Sequence, residues 1–141
     1  MCGAGCVSLF QNNWPANPEL LSSGETMAGV KFVVIYPRPT DVEVFEKLYR
    51  EEHIPMAVEK LVGKTKIVAT KIVDSPQGTP RFYRIAEIHF PLLEALNTCA
   101  ASEGAQATLA HAESLSTGGK PIFLVAEEEI LAFEKAGQEA A

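Results

Sequence analysis

His53 stands in the run Tyr49-Arg50-Glu51-Glu52-His53-Ile54-Pro55, where a helical pattern meets a proline. An imidazole titrates near neutral pH, so a histidine at such a rim can take a proton from an activated carbon or hydroxyl and return it. A helix C-terminus would favour the protonated ring, which suits an acid or a base of raised strength. A purely structural alternative has His53 capping the last helix carbonyls. Tyr36 and Tyr83 carry hydroxyls able to polarise a carbonyl or enolate oxygen, although a buried tyrosine also serves packing with one satisfied hydroxyl. Glu87 and His89 share the strand parity of Tyr83 and Ile85, so a carboxylate and an imidazole project together if that face lines a pocket. A salt bridge from Glu87 to a neighbouring Lys or Arg is the competing reading. Arg38 could hold an anionic substrate group, or be a solvated turn arginine. His111 stands among alanines and reads as a surface or helix-packing residue.

Other chemistries leave no trace. There is no G-x-G-x-x-G, Walker loop, H-E-x-x-H or C-x-x-C, and three histidines scattered over three elements are weak evidence for a metal. The sequence calls for no cofactor and no metal. Cys2, Cys6 and Cys99 make no disulfide framework and read as reduced thiols of a cytoplasmic protein. No secretory signal opens the chain, and no apolar run approaches a membrane span. The net charge of −6 falls mainly outside residues 28–127, and no basic stripe suggests nucleic acid.

The elements that must position these groups lie between Val30 and Glu127. Residues 1–28 are rich in Gly, Asn, Ser and Pro without period, and read as a disordered extension. Met27 is a candidate for the true start, which would leave residues 1–26 untranslated. Val30–Tyr36 reads as a first strand ended by Pro37 and Pro39. Thr40-Asp41-Val42-Glu43 fits a capping box with Thr40 as N-cap, and Val42, Phe45, Leu48 and Tyr49 recur at helical spacing. Pro55 predicts that this helix finishes near His53, with a short turn over Met56–Leu61 and a left-handed Gly63. Lys64–Val73 and Arg81–Phe90 read as strands paired in a long antiparallel hairpin. Leu92–Ala100 and Ser102–Leu115 read as helices with Ser102 as cap, and Pro121–Ala126 as a last strand. Residues 128–141 form an acidic tail. With 141 residues, 47% of them hydrophobic, the chain can bury one core. The order β-α-β-β-α-β predicts an α+β, ferredoxin-like fold with a four-stranded antiparallel sheet.

Such a fold leaves one sheet face bare. Phe32, Val34 and Tyr36 point one way and Val33 and Ile35 the other, while the third strand sets Phe82, Ala86, Ile88 and Phe90 against Tyr83 and Ile85. Both faces are therefore apolar, and a bare apolar face predicts an interface. Two sheets packed face to face would make a homodimer enclosing a cavity. A monomer whose tails, including Ile130–Phe133, cover the sheet is the alternative.

The run Tyr36-Pro37-Arg38-Pro39-Thr40-Asp41, then Phe45, then Tyr49 to Pro55, then Tyr83 to Phe90 and Ser102-Glu103-Gly104, resembles the EthD-like family of the dimeric α/β-barrel superfamily. The resemblance covers residues 29–127, and Tyr36 to Pro55 is its specific part. It implies the fold and the dimer. Relatives in the broader superfamily include cofactor-free oxygenases, lactone isomerases and dehydratases. Family members often carry an acidic residue followed by an aromatic one in the second helical region, where this chain has His111 and Leu115. Two functions follow. One is a cofactor-independent enzyme moving a proton on a small hydrophobic or aromatic substrate, with His53 carrying it and Tyr36 or Tyr83 stabilising oxyanion charge. The other is a non-catalytic accessory or ligand-holding protein.

Overall fold

Strand β1 (Val30–Pro37) is the spine of the molecule, and in the computed structural model, which describes residues 29–131, it pairs antiparallel with two others. Its neighbours are β3 (Phe82–Phe90) and β4 (Ile122–Glu127), and β2 (Lys66–Lys71) lines the far side of β3. The resulting order β2-β3-β1-β4 is that of a four-stranded antiparallel ferredoxin-like sheet. Helices α1 (Val42–Leu48), α2 (Ile54–Lys60), α3 (Leu93–Ala100) and α4 (Glu103–Leu115) cover one side. The extension and the start proposed at Met27 lie outside the described residues, as do Cys2, Cys6 and the tail beyond Leu131.

Register decides which residues meet the helices. Phe32 faces Ile88 and Val34 faces Ala86, while Phe123 and Val125 of β4 lie opposite Val34 and Phe32. This row enters the core with Phe45, Leu61, Leu93, Leu96 and Leu115. The other row is Lys31, Val33, Ile35, Ile85, Glu87, His89, Ile122 and Leu124, with Val68 and Thr70 from β2. Among the described residues no helix lies over it.

Three local expectations are corrected. Asp41, not Thr40, is the N-cap of α1, its carboxylate accepting from the Val44 N–H at 3.1 Å. Thr40 instead donates its backbone N–H to Thr117 Oγ1. Pro55 does not end the helix. Between α1 and α2, Tyr49–His53 winds as a wide π-helical turn, with the Ile54 N–H reaching the Tyr49 carbonyl five residues back. A regular turn would ask Pro55 for a missing N–H and push its ring into the preceding turn; the wide turn absorbs both and Pro55 enters the first turn of α2. Lastly, pairing shifts between Tyr36 and Pro37, which face Arg84 and Phe82, so Tyr83 is the extra residue of a bulge. That bulge removes Tyr83 from the row of Ile85, Glu87 and His89, and its ring packs edge-on against Phe45 of α1 at 5.8 Å.

Other expectations hold. Ser102 caps α4 by accepting from the Ala105 N–H at 3.1 Å, and Gly63 has φ +94°. A Cβ on Gly104 would stand 2.8 Å from the Lys60 carbonyl oxygen, so glycine lets α4 approach the end of α2. Among the described residues no helix is long and apolar enough to cross a membrane.

Candidate active site

The continuous run from α1 through the π turn carries an aromatic ring every fourth residue. Phe45 stacks on Tyr49 (5.4 Å between centroids, 17° between planes), and Tyr49 on His53 (5.9 Å, 24°). The stack ends on His111 of α4, at 5.1 Å and 10° from His53. Tyr36, fully buried at the end of β1, meets Phe45, Tyr49 and His53 edge-on. Edge and stacked contacts each add about 0.5–1.5 kcal/mol beyond area burial, so Tyr36 is held from several sides. Below Tyr49, Arg84 makes a two-pronged bond to Glu46 (2.9 and 3.0 Å) with its guanidinium 4.9 Å from the Tyr49 ring.

Polar atoms follow the rings. Tyr36 Oη lies 3.2 Å from His53 Nε2, His53 Nδ1 lies 2.9 Å from His111 Nδ1, and His111 Nε2 lies 3.5 Å from Glu52 Oε1. Burial, with the neighbouring His111, pulls His53 down to about 4. His53 is therefore neutral at pH 7, contrary to the expectation that the helix end favours its charged form: it is enclosed by rings and the helix does not end there. Burial also raises the Tyr36 hydroxyl strongly, and pushes Tyr49 up to about 12. The Tyr49 hydroxyl is buried and has no hydrogen-bond partner among the described residues.

Tyr36, Tyr49 and His53 form one wall of a cavity of about 50 Å³ between sheet and helices. Phe32, Val34, Ala86, Ile88 and Phe90 make the floor; Ala57, Ala100, Ala105, Leu109 and Ala112 make much of the roof. Small alanine side chains on α2, α3 and α4 leave the space. Cys99 also lines it, buried, with its thiol raised by that burial. Polar lining is sparse: Tyr36 and His53 bonded to each other, Tyr49 unpartnered, and Thr108, whose hydroxyl donates to the Gly104 carbonyl. Such a lining suits an apolar group with one hydrogen-bonding atom. At about 50 Å³ the space is smaller than the roughly 150 Å³ that admits a benzene ring, so an aromatic ligand would have to part the alanine-lined helices.

Of the residues expected from sequence, the fold brings Tyr36 and His53 together. Tyr83 lies outside the cavity lining, and Glu46 beside it helps burial raise its hydroxyl. Glu87 and His89 stand on the opposite sheet face, the row without helices. There Lys31 contacts Glu87 (3.3 Å) and Glu128 (3.7 Å), and His89 lies near both carboxylates. Arg38 is exposed at the turn after β1, its backbone N–H bonded to the Arg81 carbonyl. His111, expected on the surface or in helix packing, instead sits against His53. Sequence offered one signal for it: His111, Ala112, Ala105 and Thr108 share a helical face whose small residues leave room for a ring. Among the described residues no group of three His, Cys, Asp or Glu could hold a metal ion.

With the geometry established, solved structures supply comparison. An ethyl tert-butyl ether D (EthD) family protein from Bacillus halodurans superposes with a TM-score of 0.67 at 26% identity, over 72% of this chain and 99% of that one. The chain is EthD-like in fold. An EthD-like protein from Ralstonia eutropha gives 0.55 at 16% identity, over 78% of this chain and 98% of that one. A dimeric protein of unknown function and ferredoxin-like fold from Bacteroides fragilis gives 0.50 at 16% identity, over 71% and 96%. No family model matches the chain, and no curated protein does. The EthD-like architecture thus rests on shape across nearly the whole of those chains.

Proposed function

We propose that the cavity takes up a small hydrophobic or aromatic molecule and that the Tyr36–His53 pair moves a proton on it, as a cofactor-independent enzyme. The supporting observation is the 3.2 Å bond between a fully buried tyrosine hydroxyl and a buried, neutral histidine at the wall of an apolar chamber. An uncharged imidazole is in the basic form, and a dry site makes its hydrogen bonds strong. Because Tyr36 Oη already occupies His53 Nε2, the proton passes through the tyrosine hydroxyl. Tyr49 Oη, buried and unpartnered, is placed to donate to the oxyanion that forms. Proton transfer of this kind is the step shared by isomerase, dehydratase and oxygenase chemistry on acidic carbons.

The chain pairs with a second copy through the open sheet face, where Ile122 and Leu124 remain exposed beside Val33, Ile35 and Ile85. The dimeric Bacteroides fragilis protein of the same fold supports that reading. A non-catalytic holding role is the second reading, favoured by the near-absence of polar groups in the lining.

Proton NMR in D2O separates the two. Incubation with small ketones and lactones should exchange hydrogens next to the carbonyl, and His53→Phe should lower that exchange at least a hundredfold, the range general acid–base catalysis contributes. Binding without exchange in the wild-type protein selects the holding role.

A further inference from the structure

The hydrogen-bonded chain does not stop at His53. We propose that His111 and Glu52 complete a proton relay joining Tyr36 in the cavity to solvent. The inference rests on the Tyr36–His53 reading above and extends it outward by two positioning residues, which touch no substrate.

Direction follows from donor and acceptor chemistry. An ionised Glu52 only accepts, and its Oε1 at 3.5 Å from His111 Nε2 favours hydrogen on that nitrogen. A neutral His111 then has a bare Nδ1, which must accept across the 2.9 Å contact with His53 Nδ1. His53 therefore bears its hydrogen on Nδ1 and presents a bare Nε2 to the Tyr36 hydroxyl at 3.2 Å. With both imidazoles uncharged, no other set of tautomers satisfies the three contacts. Every hydrogen points from the cavity towards Glu52, whose side chain is 59% exposed.

The balance is complete without another reagent. As a substrate C–H or O–H gives its proton to Tyr36 Oη, the tyrosine proton passes to His53 Nε2. The His53 Nδ1 proton passes to His111 Nδ1, and the His111 Nε2 proton to the Glu52 carboxylate. The substrate becomes an anion, Glu52 becomes neutral, Tyr36 remains a phenol, and both imidazoles end neutral with exchanged tautomers. Transfer back to a different substrate atom resets the chain. Since Tyr36 gains a proton as it loses one, the strongly disfavoured buried tyrosinate never forms.

The groups facing His53 are few: Tyr36 from β1, Tyr49 and Glu52 from the π turn, and His111 from α4; Arg84 of β3 reaches only the Tyr49 ring. Among the described residues nothing else charged competes for the two ring nitrogens.

The test needs no substrate, so it stands or falls separately from the turnover assay. Two-dimensional 15N NMR of the histidine-labelled protein at pH 8 reads which nitrogen of each ring carries hydrogen. The relay predicts His53 with hydrogen on Nδ1 and His111 with hydrogen on Nε2. In Glu52→Leu, a change at an exposed side chain that keeps the fold, the His53 Nε2 signal should shift from the bare-nitrogen position towards the protonated one. Glu52 precedes His53 in the chain, so a small shift carries no weight. Only the large move between the bare and protonated nitrogen positions reads an exchanged tautomer, and a merely structural role for Glu52 would not produce it. His53 with hydrogen on Nε2 in the wild-type protein overturns the proposal, and so does a His53 spectrum unchanged in a folded Glu52→Leu variant.

Discussion

The two faces of the sheet use similar ingredients to opposite ends. Each carries histidine, glutamate and β-branched residues. On the helix-covered face His53 is stacked between Tyr49 and His111 and hydrogen-bonded in line, and His111, its side chain 20% exposed, leads towards Glu52. On the open face His89, Glu87, Glu128 and Lys31 cluster around shared ion pairs, next to apolar side chains that no helix covers among the described residues. The difference lies in neighbours rather than burial, since His89 is as buried (7%) as His53 (6%). Fixed ring geometry turns the imidazoles into a directed chain, whereas Lys31, Glu87 and Glu128, only partly exposed, hold one another by attraction that salt weakens. Under the proposed function the first arrangement handles protons and the second meets a second copy of the chain.

Perturbing the covered face should cost most. Tyr36→Ala empties the position that three rings of the stack touch edge-on, and an aromatic-to-alanine change in a core costs about 3–5 kcal/mol. Urea unfolding should show that loss; a cost under about 1 kcal/mol would show that the stack carries little.

Acid comes next. His53 sits near 4 in the folded chain against 6.5 when unfolded, so between those values the unfolded state binds the extra proton. Stability should therefore be full above about pH 6.5, fall as pH drops through that window, and flatten below about pH 4 with respect to this group. The loss is on the order of 3 kcal/mol, and His53→Phe should remove that part of the pH dependence. A wild-type curve indistinguishable from that of His53→Phe would mean the ring is not held neutral by its surroundings.

Gly104→Ala should cost about 1–3 kcal/mol, because the new methyl meets the Lys60 carbonyl and pushes α4, with His111, off α2. The smallest effect belongs to the open face. Leu124→Lys, at a side chain 48% exposed on an edge strand, should change the stability of the single chain by no more than about 0.5 kcal/mol. The same substitution should shift the protein from dimer to monomer in sedimentation. A large stability loss without dissociation would erase the contrast between the faces.

Strand and helix order was legible because apolar periods of two and of about 3.6 are local signals, and Ser102 and Gly63 carry local turn chemistry. Tyr36 and His53 were legible as types at the ends of a strand and a helical run. What escaped was set by tertiary structure. Pro55 reads as a stop until the π turn supplies a geometry without the missing N–H. Tyr83 changes face through a bulge defined by its pairing with β1. His111 stands 58 residues from its partner, and no local pattern ties an imidazole on α4 to one on the π turn. The cavity was hidden for a similar reason: alanines read as helix formers, and only assembled helices show the space they leave.

The most direct measurement is a thermal-shift screen of the wild-type protein and His53→Ala against small aromatics, phenols, lactones and ketones. A ligand at a hundred times its Kd stabilises the folded state by about 2.7 kcal/mol, a rise of several degrees in a domain of this size. We predict that at least one such compound raises the wild-type Tm and does so less in His53→Ala. Hits that stabilise both proteins equally would place binding away from the Tyr36–His53 wall and contradict the assignment of the site.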